Sequence, residues 1–211
     1  SSHQGSSRMR PVAALLVLLS LPLWAAACGA GDGPPGGNTK SFSQAQQSID
    51  PAKEYTATFV TSKGEFAVRL YAGEAPMTVN SFVFLAKQGY FDGLTFHRVV
   101  KGFVIQSGDP TGSGSGGPGY ETADEPNQLS NRRGTLAMAK TAGAKVFGSQ
   151  FFINLSDNTG LDWNNPSNNK FYPFGEVISG IDVVDAIAAS PVRGSQPDPE
   201  VVITSVRISE R

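Results

Sequence analysis

FHRVVKGFVIQSGD, residues 96–109, is the stretch whose reading decides this chain. It sets His97 beside Arg98 in a largely apolar run and follows them with Phe103, Val104 and Gln106. Residues 96–99 and 103–107 read as two short strands. Successive side chains of a strand point to opposite faces, which turns His97 and Arg98 away from each other. An acid–base pair at one small site is therefore disfavoured. His97 reads as a hydrogen-bonded structural histidine, and Arg98 as a permanently charged donor.

The surrounding sequence supplies the rest of a sheet. YTATFVT (55–61) and EFAVRLY (65–71) flank a Ser62-Lys63-Gly64 turn and predict a hairpin. TLAMA (135–139), QFFIN (150–154), FGEVI (174–178) and VVITSVRIS (201–209) are further strand candidates, making eight with the four above. Pro76 opens a helix with Val79, Phe82, Val83 and Ala86 at helical spacing, stopped by Gly89. GIDVVDAIAAS (180–190) repeats the pattern with Val183, Val184, Ile187 and Ala188. The expected fold is mainly β: a closed eight-stranded antiparallel barrel capped by two α-helices. The Gly/Ser loop GDPTGSGSGGPGY (108–120) lacks the ending of a phosphate-cradling loop, yet a loop of this length is often functional.

Composition narrows the chemistry. The 211 residues carry 17 basic and 18 acidic side chains, a formal charge of −1, so no field for nucleic acid arises. Cys28 is the single cysteine, which excludes an internal disulfide and a cysteine metal cluster. His97 is the one histidine outside the SSHQGSSR leader, and no metal site is expected. A Ser-His-Asp hydrolase would have to use His97, but Ser113 in Gly112-Ser113-Gly114 lacks the strand–turn–helix frame of a nucleophile elbow.

The chain divides into four parts. Residues 1–8 read as an expression scar or leader. Residues 9–28 read as a signal peptide: Arg8 and Arg10 flank the apolar run from Val12 to Trp24, which is shorter than the roughly 20 residues of a spanning helix. Ala25, Ala26 and Ala27 then precede Cys28, and this ending resembles a bacterial lipoprotein signal, in which the cysteine takes a lipid. Residues 29–53 read as a flexible tether, and residues 54–211 as the folded domain. The localisation expected is export, with the domain lipid-anchored at the outer face of the membrane; plain secretion is the alternative.

FHRVVKGFVIQSGDPTGSGSGGPGY, GTLAMA (134–139), FGSQFFI (147–153) and FGEVISGIDVVDAI (174–187) together resemble the cyclophilin-type peptidyl-prolyl cis–trans isomerases, in order and in spacing. The likeness covers about residues 55–210. It implies that Arg98 is the catalytic donor, with Gln106 as backbone clamp and Phe103 as slot wall. Val104, Phe152, Leu161 and Phe171 would complete the pocket for proline. Ala139 and Lys140 would present backbone groups to a peptide, with Gln150 beside them. The resemblance implies no cofactor. Its partners would be proline-containing peptides and exported proteins in the course of folding, bound by a monomer that meets the membrane through its lipid alone. A peptide-binding chaperone or adhesion module using the same groove is the alternative function.

Two departures bear on the site. Lys140 stands where many members have asparagine. Gly160 stands where many have tryptophan, with Trp163 near enough to swing in, and NNPSNN (164–169) reads as an insertion. Because that tryptophan matters for cyclosporin in the family, Gly160 implies weak cyclosporin binding.

Overall fold

The computed structural model of the protein describes residues 40–211. The leader, the signal peptide with Cys28, and residues 29–39 of the expected tether lie outside the described residues. In chain order the elements are β1 (Tyr55–Thr61), β2 (Gly64–Leu70), α1 (Pro76–Lys87), β3 (Arg98–Val100), β4 (Val104–Ser107), β5 (Thr122–Ala123), β6 (Thr135–Met138), β7 (Val146–Phe147), β8 (Phe151–Asn154), β9 (Pro173–Ser179), α2 (Ile181–Ala188), β10 (Val192–Arg193), β11 (Gln196–Pro197) and β12 (Ile203–Glu210). A short 3₁₀ turn spans Thr159–Leu161.

All eight strands expected from the sequence join one antiparallel sheet, ordered β12-β1-β2-β9-β6-β8-β4-β3. The hairpin β1–β2 forms as expected, and Phe59 and Phe66 sit opposite one another with rings stacked at 4.7 Å. Full closure is where the expectation fails. The edge strands β3 and β12 share no ladder, and the sheet is a curled half-barrel. An isolated bridge, Thr95 to Val202, and the bond from Phe96 N to Val201 O (2.9 Å) tie the two edges just ahead of those strands. Within the sheet the three residues of β3 pair only with β4, and the irregular residues 93–96 before it make the contacts with the start of β12.

Helix α1 fills the curled side of the sheet. Phe82 touches the rings of Phe59, Phe91, Phe151 and Phe174 at 4.9–6.1 Å. No side chain of Ala75 caps the helix; the Glu125 carboxylate does so instead, accepting from Met77 N (3.1 Å) and Thr78 N (2.8 Å). Beyond the expected stripe, Phe84 and Leu85 are also buried, so α1 is covered on its outer side as well. Part of that cover comes from residues 40–53, the end of the expected tether. They run over the domain without regular structure, and Phe42 and Ile49 pack into the core cluster. The segment's polar average concealed two apolar anchors. Helix α2 buries Val184 and Ile187.

Candidate active site

Strand alternation splits the sheet's apolar residues into two clusters. Ile105, Leu136, Phe151 and Ile153 face the main core. Their neighbours Val104, Ala137 and Phe152 form a second, smaller cluster, against which Phe103, Ala139, Leu161 and Phe171 pack half-buried. The register lines up one row across four strands: Arg98 opposite Gln106, Gln106 opposite Phe152, and Phe152 opposite Ala137. A fixed cation, an amide and an apolar wall thus stand side by side, although they lie up to 54 residues apart in the chain.

The row opens into a cleft of about 1050 Å³. Arg98, Gln106 and Gln150 line its polar side, and Phe103, Val104 and Phe152 its apolar floor. Ala139, Lys140, Leu161 and Phe171 complete the wall, so all ten residues singled out from the sequence meet at one place. The Gly/Ser loop closes the opposite rim with Gly114, Pro118 and Tyr120, and Thr141 and Gly148 also border the cleft. The sequence reading gave none of these rim residues a role in the site; the unusual loop length was the signal that marked the loop.

Hydrogen bonds hold the polar side rigid. Arg98 Nη1 donates to Gln106 Oε1 (3.2 Å), and Gln106 Nε2 donates to Gln150 Oε1 (3.0 Å). Gln150 Nε2 then donates to the carbonyls of Gly114 and Gly116, both at 3.0 Å. Gln150 therefore links the arginine to the Gly/Ser loop, a role its position beside Ala139 did not suggest. Gly108, at φ +91°, makes this approach feasible, since a Cβ there would collide with the Ser149 carbonyl and lie 2.9 Å from Gln150 Cα. Asp109 pins the loop. Burial alone would raise its pKa; donors from Thr111, Gly116 and Gly114 outweigh burial and hold the carboxyl below its ordinary 3.8.

The apolar side is fixed from behind. Leu155 N (2.8 Å) and Asn158 Nδ2 (2.9 Å) both donate to the Phe103 carbonyl. Phe171 N donates to Leu161 O (2.9 Å), so the loop between them closes on itself and leaves both residues in the wall. The Phe171 ring meets Phe152 edge-on at 5.5 Å. Buried Asp162 anchors the same corner by accepting from Ser130 Oγ (2.6 Å) and Asn131 N (2.7 Å). Trp163 does not swing in: it is 40% exposed and lies outside the cleft, while open space surrounds the Cβ position of Gly160.

Lys140 and Ala139 are expected to present backbone groups; the structure adds what the Lys140 side chain and the Ala139 N–H do. The Lys140 side chain is 4% exposed and ion-paired with Asp124. Its Nζ stands 5.5 Å from the Phe171 ring centre and 5.4 Å from that of Tyr172. The Ala139 N–H is committed to Gln150 O (2.8 Å), so a peptide would meet the carbonyl of that residue. His97 is 7% exposed; its ring nitrogens meet no partner at full hydrogen-bond geometry, while Gln150 and the Thr95 backbone stand near enough to favour its charged form. Alternation does not separate it fully from Arg98, because the two share a second hollow of about 540 Å³ with Ser113 and Arg193. Residues 96 and 97 precede the regular strand, which begins at Arg98, so the two-residue period does not govern them. Burial lowers the His97 pKa below 6.5, with Asp109 and Gln150 partly offsetting it.

The cleft sets an apolar wall beside a fixed, hydrogen-bonded cation and offers no nucleophile in an activated frame. Comparison with known proteins agrees with that chemistry. Residues 56–208 match the family model described as cyclophilin type peptidyl-prolyl cis-trans isomerase/CLD. The chain is 41% identical over 181 residues to peptidyl-prolyl cis-trans isomerase B of Streptomyces anulatus, covering 76% of this chain and 99% of that one. It is 41% identical over 180 residues to peptidyl-prolyl cis-trans isomerase A of Mycobacterium tuberculosis, covering 75% and 94%. A crystal structure of a Cryptosporidium parvum cyclophilin type isomerase, determined in the presence of the dipeptide Ala-Pro, superposes with a TM-score of 0.68 at 31% identity, over 74% of this chain and 99% of that one. With the motifs, the fold and the cleft in agreement, the chain belongs to the cyclophilin-type peptidyl-prolyl cis–trans isomerases.

Proposed function

We propose that the protein accelerates rotation about X-Pro bonds, with the proline ring in the slot of Phe103, Val104, Phe152, Leu161 and Phe171 and Arg98 beside the rotating amide. The observation that carries this reading is the row Arg98–Gln106–Phe152, which sets a hydrogen-bonded guanidinium next to the apolar wall. Amide resonance gives C–N rotation a barrier of about 18–20 kcal/mol, and free X-Pro bonds exchange over roughly 10–100 s. In the transition state the amide is twisted and its nitrogen becomes pyramidal, with a lone pair no longer delocalised. A guanidinium N–H pointed at that nitrogen stabilises the twisted form over the planar one, which is preorganised electrostatic catalysis. No covalent bond is broken and no proton is transferred.

A rate gain of about 10⁵ would need about 7 kcal/mol. One charge-assisted donor supplies part of it; the slot supplies the rest by holding the ring while the chain before it turns. Gln106 keeps Arg98 oriented and meets the peptide backbone. The Gly160 opening supports weak cyclosporin binding, and sub-micromolar inhibition would overturn that part.

The place of work is read from the N-terminal sequence. Lipid on Cys28 would hold a monomeric enzyme at the outer membrane face, where its clients are exported proteins as they fold. Mass spectrometry of the mature protein tests this: a diacylglycerol-sized increment on Cys28 is expected, and a free Cys28 thiol would favour secretion. The activity itself is tested by NMR exchange spectroscopy of an Ala-Pro peptide. Catalytic amounts of protein are expected to produce cis–trans exchange cross-peaks, and their absence would contradict the reading.

A further inference from the structure

We propose that residues 40–50 are a working part of the isomerase: a strap that holds the Gly/Ser rim of the cleft in place, with Phe42 as its positioning residue. This rests on the isomerase reading and adds a segment to it. The segment KSFSQAQQSID is polar apart from Phe42, Ala45 and Ile49, and no helix or strand forms in it. Ordering such a chain costs about 1–2 kcal/mol per residue in backbone entropy, so its contacts must offset a large term.

Those contacts are spread along its whole length. Ile49 is 7% exposed in the core, and Asp50 N donates to Tyr55 Oη (2.8 Å). In the middle, Asn80 of α1 clasps the strap from both sides, accepting from Ser48 N (2.7 Å) and donating to Gln46 O (3.1 Å). At the front, Phe42 sits edge-on to Phe84 at 5.1 Å and tilted on Tyr90 at 6.4 Å. Lys40 Nζ donates to Asp92 O (2.9 Å) and to Tyr90 O.

The front end also grips the rim. Phe42 N donates to Pro118 O (2.7 Å). The strap lies so close to Gly119, at φ +89°, that a Cβ there would stand 2.6 Å from Ser41 Oγ and 2.7 Å from Phe42 O. Pro118 and Gly119 line the cleft, and Pro118 lies against Gly148 across it. The glycine-rich loop is thus held at one end by Asp109 and Gln150 and at the other by Phe42. A chain so rich in glycine has little stiffness of its own, so releasing one end should blur the rim that a peptide meets.

The test uses the full chain and steady-state kinetics on an Ala-Pro peptide. Phe42→Ala is expected to raise KM about three- to tenfold with kcat within about twofold, and Phe42→Leu to restore most of the affinity. Ile49→Ala loosens the far end and should lower the melting temperature while leaving KM at the wild-type value. Unchanged KM in Phe42→Ala, or an equal rise in Ile49→Ala, would overturn the strap. Amide NMR shifts of Gly114–Tyr120 read the rim independently of catalysis. They should move in Phe42→Ala and not in Ile49→Ala, so an inactive wild type would defeat the isomerase reading and leave the strap to be judged on those shifts.

Discussion

The same strands carry two apolar clusters of similar composition and opposite use. On the inner face, Phe59, Phe66, Phe82, Phe151 and Phe174 are at most 1% exposed and close on one another around α1. On the outer face Phe152 lies beside Phe103 and Phe171, but no helix closes over them, and the space they leave is the cleft. Phe151 and Phe152 are chain neighbours and belong to different clusters. The difference is covering, not residue type. An apolar surface that its own chain leaves uncovered keeps its burial energy for a ligand.

Substitutions on the two faces should therefore fail differently. The largest change in stability is expected on the inner face. Phe82→Ala should cost about 3–5 kcal/mol, measured by denaturant unfolding, with remaining folded enzyme keeping its kcat. On the outer face Phe103→Ala should cost less than about 1 kcal/mol of stability, because a half-exposed ring leaves a space that water fills. It should nevertheless lower kcat/KM by tenfold or more. Equal stability losses at the two positions would erase the distinction. A smaller effect is expected at the wall's support. Lys140→Ala should loosen Phe171 by about 1–2 kcal/mol, a roughly five- to thirtyfold rise in KM with kcat little changed. A change in kcat alone would count against Lys140 acting through the slot.

The smallest effect concerns pH. Burial holds the folded-state pKa of His97 below its ordinary 6.5. Below that value the unfolded chain binds a proton that the folded chain resists, so this contribution to stability is present above 6.5 and is lost as pH falls toward the folded value. His97→Gln should make the acid-side decline in melting temperature shallower and leave kcat/KM near neutral pH largely unchanged. A slope identical to wild type would remove His97 from the acid response.

Much of this was legible because it is local. The eight strands and two helices follow from alternation and 3.6-residue spacing, and the split of Phe151 from Phe152 from alternation alone. Seven of the ten cleft residues lie in long motifs that resemble one family, and Lys140, Leu161 and Phe171 were carried by the same resemblance outside those motifs. What stayed hidden depends on partners distant in the chain or on where the regular strand starts. Lys140 reads as a backbone contact, and nothing near it in the sequence points to Asp124 as the partner of its side chain. Gln150 reads as a peptide neighbour until the carbonyls of Gly114 and Gly116 are brought to it. The edges at β3 and β12 share no ladder; they are tied by backbone bonds between residues 93–96 and residues 201–203, which lie too far apart in the chain to be paired by local pattern. Residues 40–53 looked like tether because two anchors, Phe42 and Ile49, are diluted among polar residues.

The central claim is that a fixed guanidinium beside an apolar slot does the catalysis, without proton transfer. NMR exchange of an Ala-Pro peptide with wild type and Arg98→Ala, alongside peptide affinity and melting temperature for both, tests it most directly. Arg98→Ala is expected to lose about 10²–10³ in exchange rate, with affinity and melting temperature close to wild type. An Arg98→Ala variant that exchanges the peptide as fast as wild type would contradict the account.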